Sequence, residues 1–338
     1  MELDRRIAAL GALGSQLIKQ GGVPDAVALK AKVLNPWFTV ENVEKATTEI
    51  AKAYLDQKKL TAWLSTYTNA GKESSKRVGL LLAGNIPLVG FHDVLCTYVA
   101  GHKAMIKASE RDQVLLEYVL TLLREYDEQS QSQFQFVERL ADYEAVIATG
   151  SDSSGRYFRK YFGAVPNIIR MNRNGIAVIY NDTTEEGLEN LGRDIFAYFG
   201  MGCRNVSKLY LEKGFDIQRI FAAIEKHRDI IHHHKYKNNY DYNFAMYLLN
   251  KDDFLTNDFL VMRENADIGS RIAALHYSYF EEYSALHSEL QEHKEEIQCV
   301  ISDRPVDGFK VFDFGEAQQP ALSDYADGVD TLEFLLEL

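Results

Sequence analysis

Three short stretches place reactive or anion-binding side chains where a fold can use them. In FGMGCRNVSKLYL, Cys203 stands between a helical pattern and an apolar strand pattern, flanked by Gly200 and Gly202. Glycines let a substrate approach the backbone closely, and Arg204 next door favours a thiolate over a thiol, so the stretch suits a covalent nucleophile. Against this stands the ordinary fate of a cysteine, burial as a small apolar side chain. In AGNIPLVG, Asn85 and Pro87 follow an apolar run; in AMIKASE, Lys107, Ser109 and Glu110 close the next one. In ATGSDSSG, Gly150 and Ser151 precede a helical stretch whose first amides can face a phosphate. Taken singly, Asn85 reads as a turn former and Lys107 as a solvated charge. The G-x-G-x-x-G fingerprint is missing at 150.

The elements that must position these groups follow from periodicity. Residues 4 to 20 repeat apolar positions at three- and four-residue spacing, and 42 to 66 read the same way, so the first seventy residues are expected to be helical. From Lys76 an apolar run, a helical stretch over 89–99 and the strand AMIK make a β-α-β unit. A helix over 112–124, a strand over 144–149, a helix over 153–162 and a strand over 167–171 continue it. A fresh start at Gly175 gives a strand, a Thr-capped helix with acidic residues in its first turn, and the strand VSKLYLE. Helices over 216–227, 240–249 and 281–293 and strands near Phe259, Ile272 and Gln298 complete a second series. Such alternation implies α/β architecture, with parallel sheets covered on both faces. Asn85 and Lys107 then sit at carboxyl ends of strands, where open α/β sheets bind ligands.

Composition narrows the function classes. At 338 residues the chain is long enough for two domains, divided near residue 172 into 1–172 and 173–338. Lys and Arg number 37 against 49 Asp and Glu, a net charge of −12, which disfavours nucleic acid and anionic membranes as partners. No apolar run approaches the roughly 20 residues of a membrane span, and the amino terminus is unlike a signal peptide, so a cytoplasmic location is expected. Cys96, Cys203 and Cys299 are too few and too scattered for a disulfide framework or zinc site; Cys96 and Cys299 lie in apolar stretches and read as core. His227, His232, His233 and His234 form a His-rich stretch, read as polar surface rather than a metal site, since no ligand pattern accompanies them.

From about residue 78 onward, AGNIPLVG, AMIKASE, ATGSDSSGRYF and FGMGCRNVSKLYL occur in the order used by the aldehyde dehydrogenase superfamily, which the chain resembles. Within it, the GNIPLVG form and the ending SDYADGVDTLEFLL resemble LuxC-type acyl-CoA reductases. The resemblance implies two Rossmann-like three-layer domains with a cleft between them, and it leaves room for the last residues to return to the first domain. It implies Cys203 as nucleophile and Asn85 as oxyanion donor. Lys107, Ser109, Glu110, Gly150 and Ser151 become the cofactor-binding set, with no metal. A homodimer or homotetramer is a further implication.

The implied reaction reduces an acyl-CoA, or an acylated protein, to an aldehyde through a thioacyl enzyme. Glu110 would repel a 2′-phosphate and favour NADH, Ser109 and Arg111 would accommodate one, and the family likeness points to NADPH. The alternatives are oxidation of an aldehyde to an acid or acyl-CoA, and a non-redox acyl-carrying or scaffold protein. IIRMNRNGIAVIY departs from the superfamily's E-L-G-G-K segment, with no carboxylate over 168–180, and the E-x-F-G-P segment is missing, IGSRIAALH standing in its place.

Overall fold

A computed structural model describes residues 2–71, 75–150 and 152–338. The chain divides into two compact units, Met1–Asn172 with Pro320–Leu338, and Arg173–Gln319.

The first unit opens with α1 (Glu2–Gln20), α2 (Asp25–Leu34), α3 (Val40–Tyr54) and α4 (Gln57–Leu64). Two differences from the periodicity appear here. The expected helix over 42–66 is two helices, because Asp56 caps a new one, accepting from the Lys59 N–H at 2.9 Å, while the Leu55 N–H closes the previous one on Ala51. The second difference is α2, whose buried positions are the small Ala28 and Ala31, too weak an apolar signal to read. Then follow β1 (Arg77–Leu81), α5 (Phe91–Ala100), β2 (Lys103–Lys107), α6 (Gln113–Tyr126), β3 (Phe134–Phe136), β4 (Ala145–Thr149), α7 (Asp152–Phe162) and β5 (Asn167–Arg170). Helix α5 stops at Gly101, which takes a left-handed conformation (φ 89°).

The five strands pair in the order β3-β2-β1-β4-β5, all parallel. Consecutive residues Val78, Gly79 and Leu80 of β1, and Ala145 through Ala148 of β4, are all buried. Burial of successive residues, which point to opposite sides, means both faces are covered. Leu81 of β1 is in register with Lys107 of β2 and with Ala148 of β4, so these three strands end level. The chain runs outward from β1 to β3 and then crosses to β4, which puts the switch point of the sheet between β1 and β4.

The second unit contains β6 (Asn174–Ile179), α8 (Glu185–Phe196), β7 (Val206–Glu212), α9 (Gln218–Ile224), α10 (His234–Asn250), β8 (Leu255–Thr256), β9 (Val261–Glu264), β10 (Ala274–Phe280), α11 (Tyr283–Glu292), β11 (Ile297–Ile301) and β12 (Val311–Phe312). Its seven-stranded sheet has the order β12-β11-β6-β7-β10-β9-β8 and is parallel except for the edge pair β8–β9. Thr184 caps α8 by accepting from the Gly187 N–H at 3.1 Å, with Glu185 and Glu186 in the first turn.

The chain ends in α12 (Thr331–Leu336), which belongs to the first unit. The aspartate-rich ending docks by side-chain bonds. Asp330 caps α12 and accepts from the Tyr67 hydroxyl at 2.7 Å, while the buried Arg170 guanidinium joins Asp93 at 2.6 Å and Thr331 at 2.7 Å. His102 reaches the Leu335 carbonyl at 2.7 Å. No described helix is long and apolar enough to cross a membrane.

Candidate active site

The first unit carries the residues expected at the ends of β1, β2 and β4. Asn85 lies in the loop leaving β1, Lys107 is the last residue of β2, and Gly150 follows β4. Because those strands end level, the three emerge at one edge, beside the switch point where open α/β sheets bind nucleotides. Ser151 lies outside the described residues. The loops after β1 and β2 touch: a Cβ built on Gly84 would meet Ser109 at 2.6 Å, so only glycine fits there. Asn85 and Glu110 are exposed, and Lys107 and Ser109 half-buried. These residues therefore stand as a set that can meet a dinucleotide, with Lys107 and Ser109 offering donors and Glu110 an acceptor.

One residue of this edge was not expected. Asp112 occupies the capping position of α6, yet its carboxylate makes no bond to that helix. It turns instead to the Asn85 loop and accepts from the Leu88 N–H at 3.0 Å. Leu88 is held in a left-handed conformation (φ 56°), which a branched side chain adopts only under local constraint. Burial, only partly offset by the Leu88 bond, pushes the Asp112 carboxyl up to about 8. In sequence, Asp112 is indistinguishable from an ordinary helix cap.

The second unit holds Cys203. After α8 the chain passes through three successive left-handed residues, Tyr198 (φ 50°), Phe199 (φ 61°) and Gly200 (φ 77°), and turns back toward β7. Residues Gly202 to Asn205 close a tight turn, the Asn205 N–H donating to the Gly202 carbonyl at 3.0 Å, with Cys203 exposed at its second position. The buried Asn205 side chain closes the same turn from inside. Its Oδ1 accepts from the Gly202 N–H at 2.7 Å, and its Nδ2 donates to the carbonyls of Asp194 at 2.8 Å and Ala197 at 2.9 Å. A Cβ on Gly175 would lie 2.6 Å from the Arg204 carbonyl oxygen and 2.8 Å from that of Asn205. Backbone cannot give way cheaply, so Gly175→Ala is expected to lower stability by about 2 kcal/mol in urea denaturation.

Arg204 stacks over the Phe312 ring at 5.1 Å. Its charge favours the thiolate of Cys299, but burial dominates there and pushes that thiol up to about 12. Cys96 is buried, and desolvation raises its thiol well above the usual range. The His-rich stretch is not uniformly polar surface. His232 and His234 are exposed, but His227 and His233 are half-buried, with ring centroids 5.3 Å from Phe196 and 4.2 Å from Phe199. The aromatic residues of the bend before Cys203 supply the apolar partners that a helix-end reading could not foresee. No group of three or more His, Cys, Asp or Glu among the described residues is arranged to hold a metal ion.

Lys208, two residues into β7, is a second unforeseen ionisable group. It is fully buried, donates to the Asn265 carbonyl, and is lowered to about 8 by desolvation. Next to it in register, His276 is also lowered by burial, despite its bond to the Asp267 carbonyl. Over 168–180 the structure supplies Asn172, Arg173 and Asn174 but no carboxylate.

No family model matches the sequence, and no curated protein matches it. Solved structures do. Aldehyde dehydrogenase 21 from Physcomitrella patens, in complex with the reaction product succinate, superposes with a TM-score of 0.71 at 9% identity, covering 99% of this chain and 84% of that one. The 3,6-anhydro-L-galactose dehydrogenase in complex with NAP gives 0.66 at 11% identity, with 93% and 79% covered. The propionaldehyde dehydrogenase of the Clostridium phytofermentans fucose utilisation microcompartment gives 0.62 at 9%, with 91% and 80% covered. The chain has the aldehyde dehydrogenase fold.

Proposed function

We propose that the protein is a nicotinamide-dependent oxidoreductase that reduces an acyl thioester to an aldehyde through a thioacyl intermediate on Cys203. The observation that carries this reading is the exposed Cys203 on a tight turn at the amino end of β7, in a chain with the aldehyde dehydrogenase fold. The level ends of β1, β2 and β4 support a nicotinamide dinucleotide as cofactor, because Lys107, Ser109, Glu110 and Gly150 project from one edge at the switch point. NADPH is the favoured form from the LuxC-type likeness, with NADH, which Glu110 would favour, as the alternative.

In this mechanism the Cys203 thiolate attacks the thioester carbonyl carbon, the new sulfur–carbon bond pushing the carbonyl π pair onto oxygen, and collapse of that oxyanion breaks the bond to coenzyme A. The leaving thiolate departs with the electron pair and takes a proton from solvent. The Cys203 N–H holds the oxyanion during attack, and the aldehyde dehydrogenase likeness gives the Asn85 side-chain amide the part of a second donor. When bound, the reduced nicotinamide supplies the hydride that the thioacyl carbon accepts. The same donors hold the second oxyanion, whose collapse releases aldehyde and returns the thiolate. No carboxylate over 168–180 is placed to activate water, which counts against hydrolysis of the thioacyl group to an acid.

The test follows absorbance of NADPH or NADH with acyl-CoAs of increasing chain length, with aldehyde identified by mass. Asn85→Ala is expected to slow turnover by about a hundredfold with KM little changed, since the lost donor acts on the transition state. Cys-independent oxidation of the nicotinamide, or an acid as product, would overturn the reading.

A further inference from the structure

We infer that Asn205 is a positioning residue for the nucleophile, holding the Cys203 thiol in the direction from which it reaches a carbonyl carbon. The inference rests on the reading of Cys203 as the attacking group. Three observations carry it. Asn205 is 3% exposed and spends both ends of its amide on the loop, accepting from the Gly202 N–H and donating to the Asp194 and Ala197 carbonyls at the end of α8. Its own N–H bonds the Gly202 carbonyl, so both backbone groups of the residue before Cys203 are tied to one side chain's residue. The loop it braces leaves α8 through three left-handed residues, a path with little intrinsic preference for one geometry. Asp194 in turn is anchored, its carboxylate accepting from the N–H groups of Gly315 at 2.6 Å and Ala317 at 3.0 Å. The cysteine turn is therefore fixed to the body of the second unit through Asn205.

Attack on a carbonyl is sensitive to direction, whereas alkylation by a small reagent is much less so, and this separates positioning from exposure or thiol ionisation. The probes are p-nitrophenyl acetate and acetyl-CoA for acylation, and iodoacetamide for alkylation, with the full chain. In acylation by the nitrophenyl ester the Cys203 sulfur bonds the acetyl carbon as the carbon–oxygen bond breaks, and nitrophenolate leaves with the electron pair. The thiol proton goes to solvent. For Asn205→Ala the nitrophenolate burst is expected to slow about a hundredfold while alkylation changes by no more than about threefold. A folded Asn205→Ala protein with a burst within about threefold of the parent overturns the inference.

Should that variant fail to fold, Asn205→Asp decides. Its protonated carboxyl can accept from Gly202 and donate to one of the two carbonyls that the amide reaches, but its ionised form faces the Asp194 and Ala197 carbonyl oxygens. Its burst rate, relative to the parent, is expected to fall as pH rises from about 6 to about 9; a ratio independent of pH overturns the inference. If the parent is acylated by the nitrophenyl ester but not by acetyl-CoA or longer acyl-CoAs, the acyl-CoA reading fails and the Asn205 comparison still decides. Acylation by neither overturns both.

Discussion

Cys203→Ala is expected to abolish thioacyl formation and to reduce acyl-CoA-dependent NADPH oxidation to background, a loss of at least about 10⁴-fold. The size of the effect follows from the absence of a substitute thiol. Cys96 and Cys299 are buried, and desolvation holds both thiols well above the range where a thiolate forms near neutral pH. Intact-mass measurement after mixing with acyl-CoA should show one acyl group on the parent and none on the variant. Replacing Cys299 by serine should leave acylation in place, since its sulfur faces the Arg204 carbonyl inside the fold. Aldehyde formed by Cys203→Ala would sink the assignment of the nucleophile.

The second large effect concerns stability. In the folded chain Asp112 keeps its proton up to about pH 8, whereas in the unfolded chain an aspartate releases it near pH 3.9. Between these values the native state binds more protons than the unfolded state, so this group's contribution is fully present below about pH 4 and is lost as pH rises toward about 8. The loss amounts to about 4 kcal/mol by pH 7. Asp112→Asn keeps an oxygen to accept from the Leu88 N–H but has no proton to lose. The difference in unfolding free energy, variant minus parent, is therefore expected to grow by about 4 kcal/mol between pH 4 and pH 7 in urea denaturation at constant ionic strength. A difference that stays constant over that interval would show that the buried carboxyl ionises normally.

On the proposed reading, Asp112 is a destabilising carboxyl beneath a loop of the site, in line with the general pattern in which functional sites hold groups that stability alone would remove. Asp112 shows why such groups escape a sequence reading. An aspartate at a helix start has a common and sufficient explanation as a cap, and only the tertiary path of the β1–α5 loop, which brings the Leu88 N–H to it, gives the side chain a different partner. Asn205 escaped for a similar reason. Two residues beyond Cys203 it reads as a turn former, and its bonds to α8 depend on the bend at Tyr198 and Phe199, which no propensity anticipates. Lys208 was hidden within a strand pattern, VSKLYLE, whose neighbours gave no hint that the lysine faces inward. The His-rich stretch misled in the other direction, because imidazoles are amphipathic and the two that meet Phe196 and Phe199 become partly buried packing.

Local pattern was enough to specify the alternation of strands and helices, the α/β class with parallel sheets, and where along the chain Asn85, Lys107, Ser109, Glu110, Gly150 and Cys203 fall between those elements. Those features are local: an apolar run of strand length, a Thr cap with acidic residues after it, a glycine beside a cysteine. Long-range packing was needed to bring the ends of β1, β2 and β4 level, to return the last nineteen residues to the first unit, and to set Asn205 and Asp112 against the two loops. Register, chain return and side-chain bonds between distant segments depend on which surfaces bury one another, and that free energy is a property of the packed chain rather than of any window along it.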